Sequence, residues 1–399
     1  MKDRLHLQQQ PQDRFDRLRR ISWWDQGKLK SSKILVIGAG ALGNEILKNL
    51  ALLGVGNIFV ADMDLIENSN LSRSILYREK DDGRRKAEVA AERARDIYPD
   101  INTHWFHGDV VYQLGLGVYR WADLVIAGLD NREARLQVNR NCWKTNTPWI
   151  DGATEILQGV VRVFTPPGGP CYECTMSAAD WEVLKRRRGC AGMRAEEMQA
   201  GRVPTTPTTA SIVAAFQCQE AVKMLHGLEV LAGKGMVFNG LIHDTYVVSY
   251  QADENCLSHE TYERTISLNR SVHNTTLREM LDLARAHLGD QAILEFNHEL
   301  LISFHCSACK ESENLFRPLG SLSERAARCP VCGQMRQVRS TQSIDGSEEF
   351  LSRTVAEMGV PPFDYVLGRN GLELVAFEFS GDRAAVLGPL YQEEVALEG

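Results

Sequence analysis

Lys33-Ile-Leu-Val-Ile-Gly38-Ala-Gly40-Ala-Leu-Gly43 is the stretch whose reading decides the fold. Ile34 to Ile37 form a short apolar, β-branched run that three glycines end, and the helical pattern Ile46, Leu47, Leu50, Leu53 follows and stops at Gly54. The spacing predicts strand, tight turn and helix. Gly38 and Gly40 let the backbone turn and approach a phosphate, Gly43 lets the helix pack on the strand, and the helix N-terminus offers free N–H groups to an anion. A second apolar strand, Asn57 to Ala61, ends at Asp62, 19 residues after Gly43, where a carboxylate can accept a ribose hydroxyl. This is a βαβ nucleotide unit, set against the plainer reading of a glycine turn in a parallel sheet with no ligand.

Working outward, Arg73 and Lys86 fall on loops or at a helix start beyond the strand that carries the ribose acid. A nicotinamide enzyme has no need of two such cations, whereas a site that neutralises a triphosphate and its leaving pyrophosphate does. Ala122 to Asp130 reads as a further buried parallel strand with Asp130-Asn131 at its carboxyl end, where open α/β sheets bind ligands. Asp130 there suits Mg²⁺, which takes one or two carboxylates plus phosphate oxygens; the plainer role is to cap the helix from Arg132. A helix from Ser211 to His226, capped by Thr209, and strands from Gly233 to Tyr250 complete this region. The expected first domain is therefore α/β, a Rossmann-like, mostly parallel sheet with flanking helices over 31–260. Residues 1–30 form an N-terminal arm in which Arg14, Arg17, Arg19 and Arg20 surround Phe15, Leu18 and Ile21, either as a solvated helical arm or as the source of an active-site arginine.

At 399 residues the chain exceeds the roughly 250–300 residues at which single cores stop growing. A formal charge of −7 gives no basic footprint for nucleic acid. No apolar run reaches the length of a membrane span, and the first 20 residues lack a signal-peptide pattern, so neither membrane insertion nor secretion is expected. Ten cysteines, several in CxxC or CxxH spacing, suit metal binding in a reducing compartment, so the expected setting is cytoplasmic.

Cys306-x2-Cys309-x19-Cys329-x2-Cys332 has the spacing of a zinc ribbon, with all four positions filled by protein and hence a structural Zn²⁺. Cys171-x2-Cys174 pairs with the one other spaced couple, Cys256-x2-His259, as a Cys₃His site for a second structural Zn²⁺. Cys142 and Cys218 sit in helical patterns as small buried side chains. Cys190 differs: it follows Gly189 in a long crossover loop (about 175–209), beside Arg186, Arg187, Arg188 and Arg194, cations that favour the thiolate. From about residue 262 the character changes. A capping box Thr276-x-x-Glu279 opens a short helix, two strands flank Asn297-His298, the ribbon spans 306–332, and a helix and two strands fill 347–380. This predicts a smaller α+β domain over 262–399.

Together these residues resemble the superfamily that activates ubiquitin, ubiquitin-like modifiers and sulfur-carrier proteins, the ThiF, MoeB and HesA group. The likeness rests on Arg14-Phe-Asp-Arg17, the glycine turn at 38–43, Asp62-x-Asp64, Ser69-Asn70-Leu-x-Arg73, Gly83-x-x-Lys86, Leu129-Asp130-Asn131 and the CxxC pairs. It runs from about Arg14 to His259, with His259 standing where relatives more often have cysteine.

The resemblance implies adenylation: the modifier's C-terminal glycine carboxylate attacks the α-phosphate of ATP and pyrophosphate leaves. By the same matching the glycine turn and Asp62 hold adenosine and ribose, Asn70, Arg73 and Lys86 the phosphates, and Asp130 the Mg²⁺, with Asp64 and Asn131 in the nucleotide set. Arg17, or else Arg14, reaches the nucleotide from the partner subunit of a homodimer, and Cys190 takes the acyl group as a thioester for a conjugating enzyme. The C-terminal domain lies outside the likeness, and its position alone makes it the expected site for recruiting that enzyme, as an appended module does in some relatives. The alternatives are adenylation of a sulfur carrier or another carboxylate with no thioester, a nicotinamide oxidoreductase, and a non-catalytic scaffold.

Overall fold

The structure, a computed structural model, describes residues 13–187, 193 and 204–392. Cys190, with Arg188 and Arg194 around it, lies outside the described residues.

The first sheet has eight strands in the order β3-β2-β1-β4-β5-β6-β7-β8. Strands β1 (Lys33–Ile37), β2 (Asn57–Ala61), β3 (Asn102–Phe106), β4 (Leu124–Ala127) and β5 (Trp149–Glu155) are parallel. β6 (Gln158–Phe164), β7 (Lys234–Asn239) and β8 (Asp244–Ser249) extend it antiparallel. The chain leaves β1 for β2 on one side and later returns to place β4 on the other, so a crevice opens at the carboxyl ends of β1 and β4.

Side chains alternate across β1. Ile34 and Val36 face a core made with Ile46, Leu47 and Leu50 of a helix over Ala41–Leu53 and with Val213, Cys218 and Ala221 of another over Pro207–Leu225. Leu35 and Ile37 face the opposite side. The helix Pro207–Leu225 starts earlier than Ser211. Its cap is Thr206, whose hydroxyl accepts the Thr209 N–H at 3.2 Å, and Pro207 follows with its backbone angle already set for a first helical turn. Asp130 is not the cap of the helix Arg132–Lys144 either; Asn131 is, accepting the Ala134 N–H at 2.8 Å.

The second sheet carries strands β9 (Thr265–Leu268), β10 (Ile293–His305), β11 (Ser312–Pro318), β12 (Gln337–Ile344), β13 (Tyr365–Asn370) and β14 (Glu373–Phe379) around the capped helix Leu277–Leu288. The two strands expected around Asn297-His298 are one continuous strand, β10, whose pairing slips between Glu295 and Leu300. The slip frees Asn297 to accept hydrogen bonds from Lys144 Nζ at 2.9 Å and Tyr262 Oη at 3.0 Å. Between 347 and 380 the expected helix is only a 3₁₀ turn, Ala356–Met358.

The two sheets share hydrophobic core. Phe363, Leu387 and Leu390, from the C-terminal part of the chain, are buried with Leu35, Ile37, Phe59 and Trp121 on the second face of the first sheet. Polar contacts fix the junction. The short helix Leu116–Trp121 gives its Leu116 N–H to Asp364 Oδ1 at 2.9 Å and its Gly117 N–H to the Phe363 carbonyl at 2.9 Å, and Arg120 meets Tyr365 and Glu378. Among the described residues no helix is long and apolar enough to cross a membrane.

Candidate nucleotide site and metal centres

A cleft of about 1040 Å³ opens at the crevice between β1 and β4. Its lining includes Gly38, Gly40, Asp62, Asp64, Asn70, Arg73, Lys86, Asp130 and Asn131. Residues spread over 38–131 thus come together because β1, β2 and β4 end at one edge, each followed by a turn.

The turn itself is tightly made. Gly38 has φ +93°, and a Cβ there would lie 2.5 Å from the Gly128 carbonyl oxygen; one on Gly43 would lie 1.9 Å from the Gly38 carbonyl oxygen. Gly43 therefore serves packing and does not line the cleft. A Cβ at Gly40 would meet nothing within 4 Å, so the space beside the helix N-terminus is open, as close approach of a phosphate requires. Two residues the sequence reading passed over brace this turn. Asn44 donates to the carbonyls of Ala39 (2.7 Å) and Gly40 (3.0 Å) while accepting the Leu76 N–H, and Tyr77 Oη donates to the Ala39 carbonyl at 2.5 Å. An asparagine in the first turn of the helix was the available signal for Asn44; Tyr77 left none.

Asp62 closes the other side. Its Oδ2 accepts the Ala39 N–H at 2.7 Å and its Oδ1 the Asp64 N–H at 2.7 Å. Burial pushes its pKa up, against the opposing pull of Lys86 and the two N–H donors. Each oxygen keeps a lone pair for a hydroxyl. Lys86, the first residue of the helix Lys86–Ile97, pairs with Asp64 at 2.7 Å, and Arg73 Nη1 donates to the Ser69 carbonyl at 2.7 Å. Asn70 is buried in a short capped turn, its Oδ1 accepting the Glu67 N–H. The cations sit on one wall and Asp130 at the end of β4 on another, an arrangement suited to a polyphosphate between them.

The arm residues lie elsewhere. Arg14 donates to the Ile97 carbonyl at 2.7 Å with its guanidinium over the Tyr98 ring, and Phe15 is buried against Tyr98. Arg17 is exposed, and neither arginine lines the cleft of its own chain.

The far half of the cleft holds a charged group that no motif announced. Arg135 Nε donates to the fully buried Asp151 at 2.8 Å and its Nη2 to the Gly152 carbonyl at 3.1 Å, and Arg162 reaches the same carboxylate at 3.0 Å with its guanidinium over Tyr172. Arg132 pairs with Asp180 at 2.6 Å and so ties the start of the helix Ala178–Arg187 to the cleft wall.

Both expected cysteine clusters assemble. In the first, Cys171 Sγ lies 3.7 Å from Cys174 Sγ and 3.5 Å from Cys256 Sγ, and His259 Nε2 lies 3.4 Å from Cys174 Sγ. In the second, Cys306 Sγ lies 3.6 Å from Cys332 Sγ, and within each cluster the four ligand atoms are all within 4.8 Å of one another. A disulfide needs about 2.0 Å, whereas the edge of a tetrahedron of thiolates around zinc is about 3.8 Å, so both clusters fit a tetrahedral metal and can hold zinc. The two CxxC knuckles of the second repeat one hydrogen-bond pattern: Cys306 N to Glu311 O with Lys310 N to Cys306 O, and Cys329 N to Gln334 O with Gly333 N to Cys329 O. In the first, burial pushes the Cys171 and Cys256 thiols up and the His259 imidazole down, so metal binding there would have to release thiol protons. His259 stacks on Trp143 with centroids 4.1 Å apart.

The ThiF family profile matches residues 14–258. SUMO-activating enzyme subunit 2 of Dictyostelium discoideum is 40% identical over 148 residues, 37% of this chain and 22% of that protein. The Zea mays protein named adenylyltransferase and sulfurtransferase MOCS3-1 is 32% identical over 217 residues, 54% of this chain and 44% of that one. The NEDD8-activating enzyme E1 catalytic subunit of Dictyostelium discoideum is 43% identical over 159 residues, 37% and 36%. The chain thus spans less than half the length of each of these relatives. In fold it resembles E. coli MccB, with a TM-score of 0.52 at 21% identity over 64% of this chain and 75% of that one. The ATP-bound form of MccB gives 0.51 at 22%, over 62% and 75%.

Proposed function

The chain belongs to the ThiF family, and from that premise we propose that it is an ATP-dependent adenylyltransferase acting on the C-terminal glycine of a ubiquitin-like or sulfur-carrier protein. In this reaction a carboxylate oxygen of the carrier bonds to the α-phosphorus, the bond from that phosphorus to the bridging oxygen breaks, and the electron pair leaves with pyrophosphate. The observation that carries the reading is the convergence of the glycine turn, Asp62, Asn70, Arg73, Lys86 and Asp130 on one cleft at the carboxyl ends of parallel strands.

In this proposal the open face at Gly40 and the helix N-terminus receive a phosphate. Asp62 accepts from the ribose hydroxyls. Asn70, Arg73 and Lys86 hold the polyphosphate, with Lys86 turning from Asp64 to the more highly charged anion, and Asp64 and Asn131 complete the nucleotide set. Asp130 holds Mg²⁺, which supplies charge neutralisation to the leaving pyrophosphate when bound. Because Arg14 is committed to the carboxyl end of the helix Lys86–Ile97 of its own chain, Arg17 is the arginine that would serve a partner's cleft in a homodimer. Losing one such charge donor typically costs about 10²–10³ in rate.

The test is carrier-dependent exchange of pyrophosphate into ATP. Exchange with a matching carrier, reduced about 10²–10³-fold in Lys86→Ala and Asp130→Asn, is the expected result. Exchange unaffected by either substitution would remove the site from the reaction. The second step of the proposal is attack of the Cys190 thiolate on the adenylate carbonyl, releasing AMP and leaving a thioester for a conjugating enzyme. It requires a carrier adduct that survives SDS and is lost on reduction. Absence of that adduct in an exchange-competent enzyme leaves adenylation alone, and its persistence in Cys190→Ala moves the role to another thiol.

A further inference from the structure

Met193 is 1% exposed and belongs to a buried cluster whose other described members come from the second domain: Leu301 and Phe304 of β10, Leu319, and Ala327. Phe304 and Ala327 each stand two residues before a knuckle of the second cysteine cluster, Cys306 and Cys329. The seat under Met193 is therefore made by the two chain segments that this cluster's ligands would draw together. Arg336 reinforces it. Its guanidinium lies over the Phe304 ring at 4.5 Å and donates to the Ala326 carbonyl at 2.6 Å, and its backbone N–H bonds to the Ala327 carbonyl at 2.9 Å.

Met193 lies in the crossover, whose two described ends both belong to the cleft. On the near side Asp180 and Val183 line it, with Asp180 paired to Arg132; on the far side Thr205 lines it, and Pro204 accepts the Ile156 N–H at 2.7 Å. Met193, between two ends that both belong to the cleft, thus packs with the other domain. A buried thioether among four apolar side chains is a strong local anchor, because exposing it returns most of a side chain's apolar surface to water.

We propose that the cysteine-cluster lobe of the second domain is the docking seat of the crossover, that Met193 is its anchoring side chain, and that metal in the Cys306–Cys332 cluster keeps the seat closed. Without metal the knuckle after Phe304 and the knuckle after Ala327 are joined, among the described residues, through Arg336 and the pairing of β10 with β12 alone, and the floor beneath Met193 can loosen. The cluster then acts on the cleft at a distance, as a positioning element. This inference does not depend on the proposed reaction, and its primary readout involves no nucleotide.

The experiment is methionine oxidation by hydrogen peroxide on the full-length, zinc-loaded protein, followed by peptide mass spectrometry. Met63 and Met335, 53% and 51% exposed, are the fast references, and Met280 and Met358, both 0% exposed, report on the core of the second domain. In the intact protein Met193 is expected to react at least about tenfold more slowly than Met63. In Cys332→Ser, which leaves the first cluster whole, Met193 is expected to speed up about tenfold or more while Met280 and Met358 stay protected. Overturning results are Met193 reacting like Met63 in the intact protein, or staying protected in Cys332→Ser after one of two zinc ions is lost. If Met280 and Met358 also open in that variant, the decision passes to Met193→Gln, with every ligand in place. One of its two zinc ions should pass to a competing chelator severalfold faster than from the parent, and equal release rates would refute the seat.

Discussion

The two cysteine clusters share a ligand chemistry and differ in what they hold. The first joins the turn at 171–174, where the crossover begins, to the turn at 256–259, where the chain leaves the first sheet. Its surroundings are dense: His259 stacks on the buried Trp143, Ser258 donates to Glu173, and Arg140 pairs with the same carboxylate at 3.2 Å. Trp143 and Arg140 belong to the helix that follows Asp130, so this cluster braces a wall of the cleft. The second cluster joins the end of β10 to a local excursion of its own domain, with Cys332 exposed, and what it braces is the floor under Met193. One is built into the core beside the site; the other stands in the second domain and, in the proposal above, bears on the site through Met193.

The largest expected effect follows directly. Removing a ligand from the first cluster, as in Cys171→Ser, should cost about 5 kcal/mol of stability, in the range of metal-loss mutations, and should take carrier-dependent exchange with it. Cys332→Ser should lower the unfolding temperature less and leave the first sheet folded. Thermal unfolding of the two variants, each with its zinc content measured, checks this; equal drops would erase the contrast between a core brace and a peripheral one.

The same contrast explains what could be read in advance. Both clusters are visible in the sequence because cysteine and histidine sets of this kind obey short spacings, and the half of the cleft proposed for nucleotide is visible because the glycines, Asp62, Lys86 and Asp130 follow a strand or open a helix by local rules, with Arg73 on the loop between them. Asn44 left only the weak signal of an asparagine in a first helical turn and Tyr77 left none, since both brace backbone carbonyls of a turn whose shape appears only in three dimensions. Arg135, Asp151 and Arg162 escaped for the same reason: they come from α and β elements with no common motif. The single β10 was misread as two strands because Asn297-His298 looks like a turn, and only the contact of Asn297 with Lys144 and Tyr262 shows why a polar pair interrupts the ladder without ending it. The shared core of Phe363, Leu387 and Leu390 with the first sheet left no periodic signal either. It means that deleting residues 262–399 would strip apolar cover from the nucleotide domain as well as removing the second one.

A smaller effect sharpens the comparison at the first cluster. Trp143→Ala removes the ring that stacks on His259 and leaves a cavity in the helix that carries the cleft wall, at a cost of about 3–5 kcal/mol. Because the four ligands remain, zinc should still bind, with release to a chelator faster by about 10- to 100-fold, as for other groups that orient metal ligands. Denaturant unfolding and zinc-release kinetics read the two parts separately. A stability loss with unchanged release would mean that Trp143 packs the helix and does not orient His259.

The smallest effect concerns how the second domain is attached. Asp364, at the junction, is buried with Oδ1 accepting the Leu116 N–H, and burial raises its pKa from 3.8 to about 6. The folded protein therefore binds this proton more tightly than the unfolded chain does between those values. The group's stabilising contribution is complete below about pH 4 and is lost as pH rises through about 6. By pH 7 the loss is at most about 3 kcal/mol. Asp364→Asn keeps an acceptor for the Leu116 N–H and cannot ionise, so its stability relative to the parent should climb as pH goes from 4 to 7. Denaturant midpoints at these two pH values measure it. A difference that stays flat would show that the junction tolerates the carboxylate, and that the attachment of the metal-bearing lobe is set by the apolar contacts of Phe363, Leu387 and Leu390 alone.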